Sequence, residues 1–507
     1  MQDGLSVSVY NGHSIDLRDI PQVSIAEFRT TIIDSVESDC RIASLFAAFS
    51  ETNKGRLYAV LACDNTSKLH ILSTEATDSY PSITTDCPQA HLFEREIAEQ
   101  WAINPIGHPW LKPVRFHLPY RDAPDVWQRE RNAEILPSVM DFFQISGEEI
   151  HEVAVGPVHA GIIEPGHFRF QCYGENVLNL ETSLGFQHRG IERSLIGGPN
   201  KRTLHYMETA AGDTTVGHST AYCHILESLA RCSVSPRAQI IRAIALELER
   251  LANHAGDLGA IAGDVGYLPT ASFCGRLRGD LLNMTALICG NRYGRGIVRP
   301  GGVGFDLNSE ISEQLRAKLL QVEKDLTVAV KLLWNSPSVM ARFEKTGTIS
   351  ADKCRRLGLV GPPARACGID CDVRFNFPSG LFQFVHIPVS TWHTGDVFAR
   401  AYVRWLEIKR SIAFILDQIN ISPPGKIETD MPSIGSNKFC VSLVEGWRGE
   451  ICHVGITDSD GVLCHYKITD PSFHNWAGLA IALRDEQISD FPVCNKSFNL
   501  SYCGHDL

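Results

Sequence analysis

Residues 185–218, GFQHRGIERSLIGGPNKRTLHYMETAAGDTTVGH, limit what this chain can become more than any other stretch. They carry His188, Arg189, Glu192, Arg193, His205, Tyr206, Glu208, Asp213 and His218. Burying that many ionisable groups without partners costs several kcal/mol each, so the stretch does not read as plain core. Arg189-Gly190 and Ala211-Gly212-Asp213 are turn signals that aim side chains rather than continue a helix. A solvated loop is the plain alternative.

The 507 residues exceed one ordinary core and predict more than one domain. A 44% hydrophobic and 21% charged composition is that of a globular protein, and a net charge of −11 without Lys/Arg runs argues against a nucleic-acid partner. The N-terminus shows neither a basic segment nor an apolar one of the secretory kind, and no apolar run reaches membrane-spanning length. A cytoplasmic chain is expected, held at any membrane by other subunits. None of the sixteen cysteines forms a Cys-x-x-Cys pair, so reduced, mostly buried thiols and no cofactor of the chain's own are expected.

Along the chain, residues 1–125 read as mixed α and β. CRIASLFAAFSE fits a helix, GRLYAVLAC and HILSTEA fit strands, and Phe93, Ile97, Gln100 and Trp101 mark a helix broken at Asn104-Pro105. Residues 126–150 suit a linker or connecting helix. Strand-like stretches from Val153 lead into 185–218, and long helices follow. One has Ser235 as cap and Pro236 at its first position, with Ile241, Ile244, Leu248 and Leu251 as a core stripe. Its Glu247, Arg250 and His254 share another face, for which a solvated, salt-bridged surface is the plain expectation. NRYGRGIVRPGGVGFDL is a tight loop without the Gly-Lys-Ser/Thr of a phosphate cradle. Residues 308–335 form the clearest amphipathic helix, GPPARACGIDCDVRF is irregular and polar, and the tail from Lys438 turns to β. The fold class is α+β: a small N-terminal α/β domain (1–125), a linker (126–150), and a predominantly α-helical domain with a small β region (151–507).

FEREIAEQWAINPIGHPW and then, in order, GPVHAGIIEPGHFRF, GFQHRGIE, GHSTAYCHILE, SPRAQIIRAIALELERL, RPGGVGFDL, GPPARACGIDCDVR and EGWRGE together resemble membrane-bound nickel–iron hydrogenases and respiratory complex I, the last seven matching their shared large subunit. The first of them resembles the small docking subunit of complex I, fused ahead of the large one as in the formate hydrogenlyase large subunit. The hydrogenase members hold nickel and iron with two Cys-x-x-Cys pairs. Those slots fall here on Ala211 and Thr214, and on Ser501 and Gly504, with Cys503 one position away. Alanine and glycine offer no ligand atom and the hydroxyls replace thiolate poorly, so no nickel–iron centre and no metal ligand are expected.

Complex I uses the vacated region for a quinone headgroup, which implies a quinone-type acceptor here. Tyr206 matches the quinone-contacting tyrosine. The matching histidine position falls nearest Pro165, flanked by His159, Glu164 and His167. The resemblance further implies an iron–sulfur cluster in a partner small subunit, antiporter-like membrane subunits, NADH or another donor upstream, and a peripheral place on the inner face of the cell membrane. Tyr206, Glu192, Asp213 and His218 are the candidate catalytic residues, the last three as proton carriers. His159, His167, Tyr206 and Arg448 are the candidates for contact with the acceptor, although Arg448 and Glu450, with Arg365, Asp372 and Arg374, also fit buried ion pairs bracing the loops. A redox-silent scaffold and a hydrogenase with an altered metal site are the alternatives.

Overall fold

The structure is a computed structural model that describes residues 4–49, 55–130, 134–159 and 163–507. Ser50 and Glu51 of the CRIASLFAAFSE segment and Ala160, Gly161 and Ile162 of GPVHAGIIEPGHFRF lie outside the described residues.

The N-terminal sheet runs in the order Val7–Val9, Lys68–Glu75, Gly55–Cys63, Cys40–Phe49, with Gln22–Val23 lying parallel to Lys68–Glu75. Cys40–Phe49 is therefore a strand, not the expected helix. Its near-continuous apolar run arises because both faces of the sheet are covered. On one face Ile42, Leu45 and Ala47 pack under the helices Ile25–Glu37 and His91–Trp101, through Phe28, Ile32, Phe93 and Ile97. On the other, Ala43 and Phe46 meet Phe439, Val441 and Val454 of a second sheet. Ser24 and Glu27 close the first helix with a reciprocal capping box. Cys40 and Cys63 are register partners and form a disulfide, with 4.3 Å between their Cα atoms, which corrects the expectation of thiols throughout.

The second sheet is antiparallel, in the order Leu463–Thr469, Gly449–Thr457, Lys438–Gly446, Ser14–Asp16. The two ends of the chain thus complete one sheet. Residues 122–149 contain no helix among those described and run irregularly over the surface. They are tied down where Lys112 donates to the Asp141 carbonyl and the Phe143 N–H donates to Glu181 at 2.8 Å. A three-stranded antiparallel sheet follows, Asn176–Ser183, His167–Tyr173 and Ile150–Val155.

The core beyond it is helical. Pro236–Asp264 begins as its sequence predicts, with Ser235 Oγ accepting from the Ala238 N–H, and Ile241, Ile244, Leu248 and Leu251 are buried. Leu268–Cys289, Ser309–Trp334 and Val397–Ile421 pack around it, and Leu315, Leu319, Val322, Leu326, Val330 and Leu333 form the expected buried stripe. Glu247, Arg250 and His254 are buried as well, so that face is internal rather than solvated. The helices bury it against the GPPARACGIDCDVRF segment, whose polar look comes from Arg365, Asp372 and Arg374, all buried. Glu407 takes Arg365 at 2.7 Å and His254 at 2.7 Å, while Glu247 takes Arg374 at 3.0 Å and Arg250 at 3.1 Å. A buried charge is tolerated only when paired, and each of these is. Among the described residues no helix is long and apolar enough to cross a membrane.

Candidate functional site

Four segments distant in sequence meet at the C-terminus of the chain. Asp506 accepts from the backbone N–H groups of Gly185 (2.8 Å) and Gln187 (2.9 Å). Arg189 donates to the carbonyls of Thr209 (2.7 Å), Ala210 (2.8 Å) and Cys503 (3.3 Å). Glu164 accepts from the Tyr502 N–H at 3.2 Å. Arg189 thus spans from Ala210, beside Ala211, to Cys503, between Ser501 and Gly504.

Arg448 ties the junction together. Its guanidinium grips Asp213 with two bonds (2.5 and 2.7 Å), reaches Thr214 Oγ1 at 3.4 Å, and donates through Nε to the Asn499 carbonyl at 2.6 Å. Burial works against the Asp213 carboxylate, yet Arg448 outweighs it and holds the group below its ordinary range. The hairpin between Gly446 and Gly449 presents Trp447 and Arg448. Only glycine fits at 449, where φ is +134° and a Cβ would lie 2.8 Å from Gly361. Trp447 Nε1 donates to the Asp213 carbonyl at 3.0 Å.

The space beside the second pair of slots is occupied by protein. A Cβ on Gly504 would stand 2.7 Å from the Asp470 carboxylate and 2.9 Å from Ser501 Oγ. Asp470 caps the helix Pro471–Ala482 through the Ser472 N–H and accepts from His218 Nε2 at 3.1 Å. His218 Nδ1 is 3.0 Å from His453 Nε2, and His453 Nδ1 is 2.9 Å from Tyr466 Oη. All four side chains are buried. Burial, then the neighbouring His218, pushes His453 well below the usual imidazole range.

The candidates do not all gather here. Arg448, Asp213 and His218 do. Tyr206, on the short helix Thr203–Met207, is half-buried against the core, and its hydroxyl has no partner among the described residues. His159 Nε2 bonds the Gly166 carbonyl at 2.8 Å. His167 uses both ring nitrogens, one on the Gly156 carbonyl (3.3 Å) and one accepting from Arg169 Nε (3.2 Å). Both histidines thus hold their own loop, and no hydrogen bond or ring contact joins either to Tyr206 among the described residues. Glu192 sits elsewhere, in a cluster with Lys467 (2.9 Å), Arg115 (3.8 Å) and the Ile468 N–H (2.9 Å). Burial would raise its carboxyl, but Lys467 and Arg115 hold it at about 2, so it stays ionised at neutral pH.

Sequence reasoning missed Asp470, His453, Tyr466 and Glu249. The Asp-Pro pair at 470–471 is a readable helix start. His453 and Tyr466 stand in strands with nothing to distinguish them from other inward positions. Glu249, with Asp213, Arg292 and Tyr293, borders a narrow cleft and accepts from the Val216 (2.7 Å) and Gly217 (3.1 Å) N–H groups. Burial, opposed by these two amides but assisted by Asp213, pushes its carboxyl up to about 8. Among the described residues no three His, Cys, Asp or Glu side chains stand close enough to hold a metal ion.

Comparison with known proteins agrees with the motif order. Residues 21–128 match the family model described as respiratory-chain NADH dehydrogenase, 30 Kd subunit, and residues 264–439 that described as respiratory-chain NADH dehydrogenase, 49 Kd subunit. The chain is 27% identical over 465 residues to formate hydrogenlyase subunit 5 of Escherichia coli, covering 88% of this chain and 81% of that protein. It is 29% identical over 351 residues to the carbon monoxide-induced hydrogenase of Rhodospirillum rubrum (69% and 97%). With NADH-quinone oxidoreductase subunit 4 of Thermus thermophilus it shares 27% over 369 residues (68% and 90%).

Proposed function

We propose that this chain, which carries a 30 kDa-subunit match ahead of a 49 kDa-subunit match and is related to both hydrogenase and complex I subunits, is the redox subunit of a complex I-like membrane assembly without a nickel–iron centre. Electrons reach it from an iron–sulfur cluster in a partner small subunit, and the acceptor is quinone-type. Antiporter-like membrane subunits hold the assembly on the inner face of the cell membrane and use the coupled proton movement. The observation that carries this reading is the junction of 209–218 with 499–507. It holds the positions that the resemblance assigns to hydrogenase metal ligands, carries no thiolate at Ala211, Thr214, Ser501 or Gly504, and is closed by Arg448 and Asp213.

Tyr206 supports the acceptor, because its hydroxyl is free of protein partners among the described residues and donates to a ligand carbonyl without breaking another bond. Proton supply falls to groups that change charge near neutral pH, and Glu249 beside Asp213 fits better than Glu192. The purified assembly tests the reading. Tyr206→Phe lowers quinone-dependent turnover about tenfold, the loss of one hydrogen bond, while assembly is unchanged. Wild-type turnover in that variant removes Tyr206 from the site.

A second reading has its own observation. Arg448, Asp213, Asp470 and His218 fill the junction, as in a redox-silent scaffold that couples its partner subunits mechanically. An assembly whose turnover is indifferent to added quinone favours the scaffold.

A further inference from the structure

A cavity of about 490 Å³ lies away from the junction, between the Asn11–His13 turn, the helices Thr215–Leu229 and Pro236–Asp264, the segment 379–383, and the strand Lys438–Gly446. Small-molecule sites fall in this size range. Neither Tyr206, His159, His167 nor Arg448 lines it. Exposed His13 and Gln383 stand at its mouth.

Two independent features of the lining bear on what it holds. First, its buried charges are already neutralised. Glu227 takes Arg242 at 2.6 and 3.0 Å, Arg374 is held by Asp372 and Glu247, and Glu445 by Arg365 at 2.8 Å. A charged ligand would be desolvated there without a counter-charge. Second, Thr220 and His224, one turn apart on the helix Thr215–Leu229, are left without partners. Thr220 Oγ1 and His224 Nδ1 are unbonded but closed off from the cavity, whereas His224 Nε2, also without a partner among the described residues, opens on it opposite Gly380. Burial pushes the imidazole of His224 down to about 4, so it is neutral at pH 7 and offers one donor and one acceptor. Leu246, Leu381, Phe382 and Val444 supply the apolar remainder. Gly380, with φ at +54°, stands opposite the ring: a Cβ there would lie 3.9 Å from His224 Nε2.

We propose that this cavity is a binding site for an uncharged, planar aromatic molecule of two or three fused rings with a hydrogen-bonding edge. The edge meets His224 Nε2, and the ring lies against Leu246, Phe382 and Val444. The site is separate from the acceptor contact assigned to Tyr206, and either stands if the other falls.

Lumichrome, a neutral fluorescent tricycle with ring nitrogens and carbonyls that does not add to thiols, is the probe, used with the full chain. Fluorescence polarisation should show saturable binding of one molecule per chain. His224→Phe should weaken it about tenfold, as one hydrogen bond predicts. Gln239→Trp, at a half-buried lining position, should block it while the thermal midpoint stays at the wild-type value. Tyr206→Phe should bind as wild type, and the anionic 2-anthracenesulfonate at least about tenfold more weakly than lumichrome. Absence of saturable binding overturns the proposal. So does affinity unchanged in both His224→Phe and Gln239→Trp, or equal binding of the sulfonate.

Discussion

His218 Nδ1 lies 3.0 Å from His453 Nε2, and the two rings are the middle of a buried chain from Asp470 to Tyr466. The Asp470 carboxylate only accepts, so His218 donates to it from Nε2, and a neutral ring accepts at Nδ1. His453 then donates from Nε2 and accepts the Tyr466 hydroxyl at Nδ1. One tautomer of each ring satisfies every partner.

This direction makes the chain sensitive to a break at its centre. His453→Leu leaves His218 Nδ1 and the Tyr466 hydroxyl unpaired, at about 1–3 kcal/mol each. Tyr466→Phe orphans one nitrogen. The double variant should lose less than the sum of the two, because both remove the same bond. Urea denaturation of the three variants measures it, and strict additivity contradicts a connected chain.

A junction held by Arg448 makes a second prediction. Arg448→Met removes both bonds to Asp213 and the bond to Asn499. Breaking a buried pair costs about 3–5 kcal/mol, less here because Asp213 is partly open to solvent, its side chain 32% exposed. Hydrogen exchange should quicken together in 209–218 and 499–507 and remain unchanged in the N-terminal sheet. Quickening in only one of the two segments would mean that Arg448 does not link them.

How much of this was legible beforehand depended on whether local chemistry set the outcome. The Ser235-Pro236 start and the stripe from Leu315 to Leu333 were readable because cap and period act within a few residues. Cys40–Phe49 reads as a helix because a strand covered on both faces loses its alternation, and its covers come from residues 25–101 and 439–456. The Glu247, Arg250 and His254 face looked solvated because its partners, Arg374 and Glu407, stand more than a hundred residues away. Within the site, the tract 185–218 announced its polar density, but not that Glu192 would turn to Lys467 while Asp213 turned to Arg448. Those pairings are fixed by strands at the far end of the chain.

His474 gives the pH prediction. It is 7% exposed on the helix Pro471–Ala482, and its Nε2 has no partner among the described residues. Burial, reinforced by Arg41, lowers its imidazole to about 3, against about 6.5 in an unfolded chain. Between these values the unfolded state binds the extra proton. The stability contributed by keeping this ring neutral is therefore complete above about pH 6.5 and is lost progressively as pH falls toward 3. His474→Gln should flatten the fall in thermal midpoint between about pH 6.5 and 5. An unchanged slope would mean that His474 already takes up its proton in the folded protein.

The last prediction concerns nickel. The resemblance implies a hydrogenase metal held by soft thiolates, and none of the four corresponding positions here carries one. The purified chain should therefore hold no stoichiometric nickel after dialysis, as measured by elemental analysis. Replacing Ala211, Thr214, Ser501 and Gly504 with cysteine should not create the centre. At 504 the new Cβ would stand 2.7 Å from the Asp470 carboxylate, which also holds His218 and caps the helix Pro471–Ala482. Asp470 can yield only by giving up those bonds, so the fourfold variant should unfold at lower temperature than wild type and still bind nickel substoichiometrically. Adding Asp470→Ala to it relieves the contact. If the fourfold variant alone takes up one nickel per chain at the wild-type thermal midpoint, the junction is a metal site lacking only its thiols, and the metal-free reading fails.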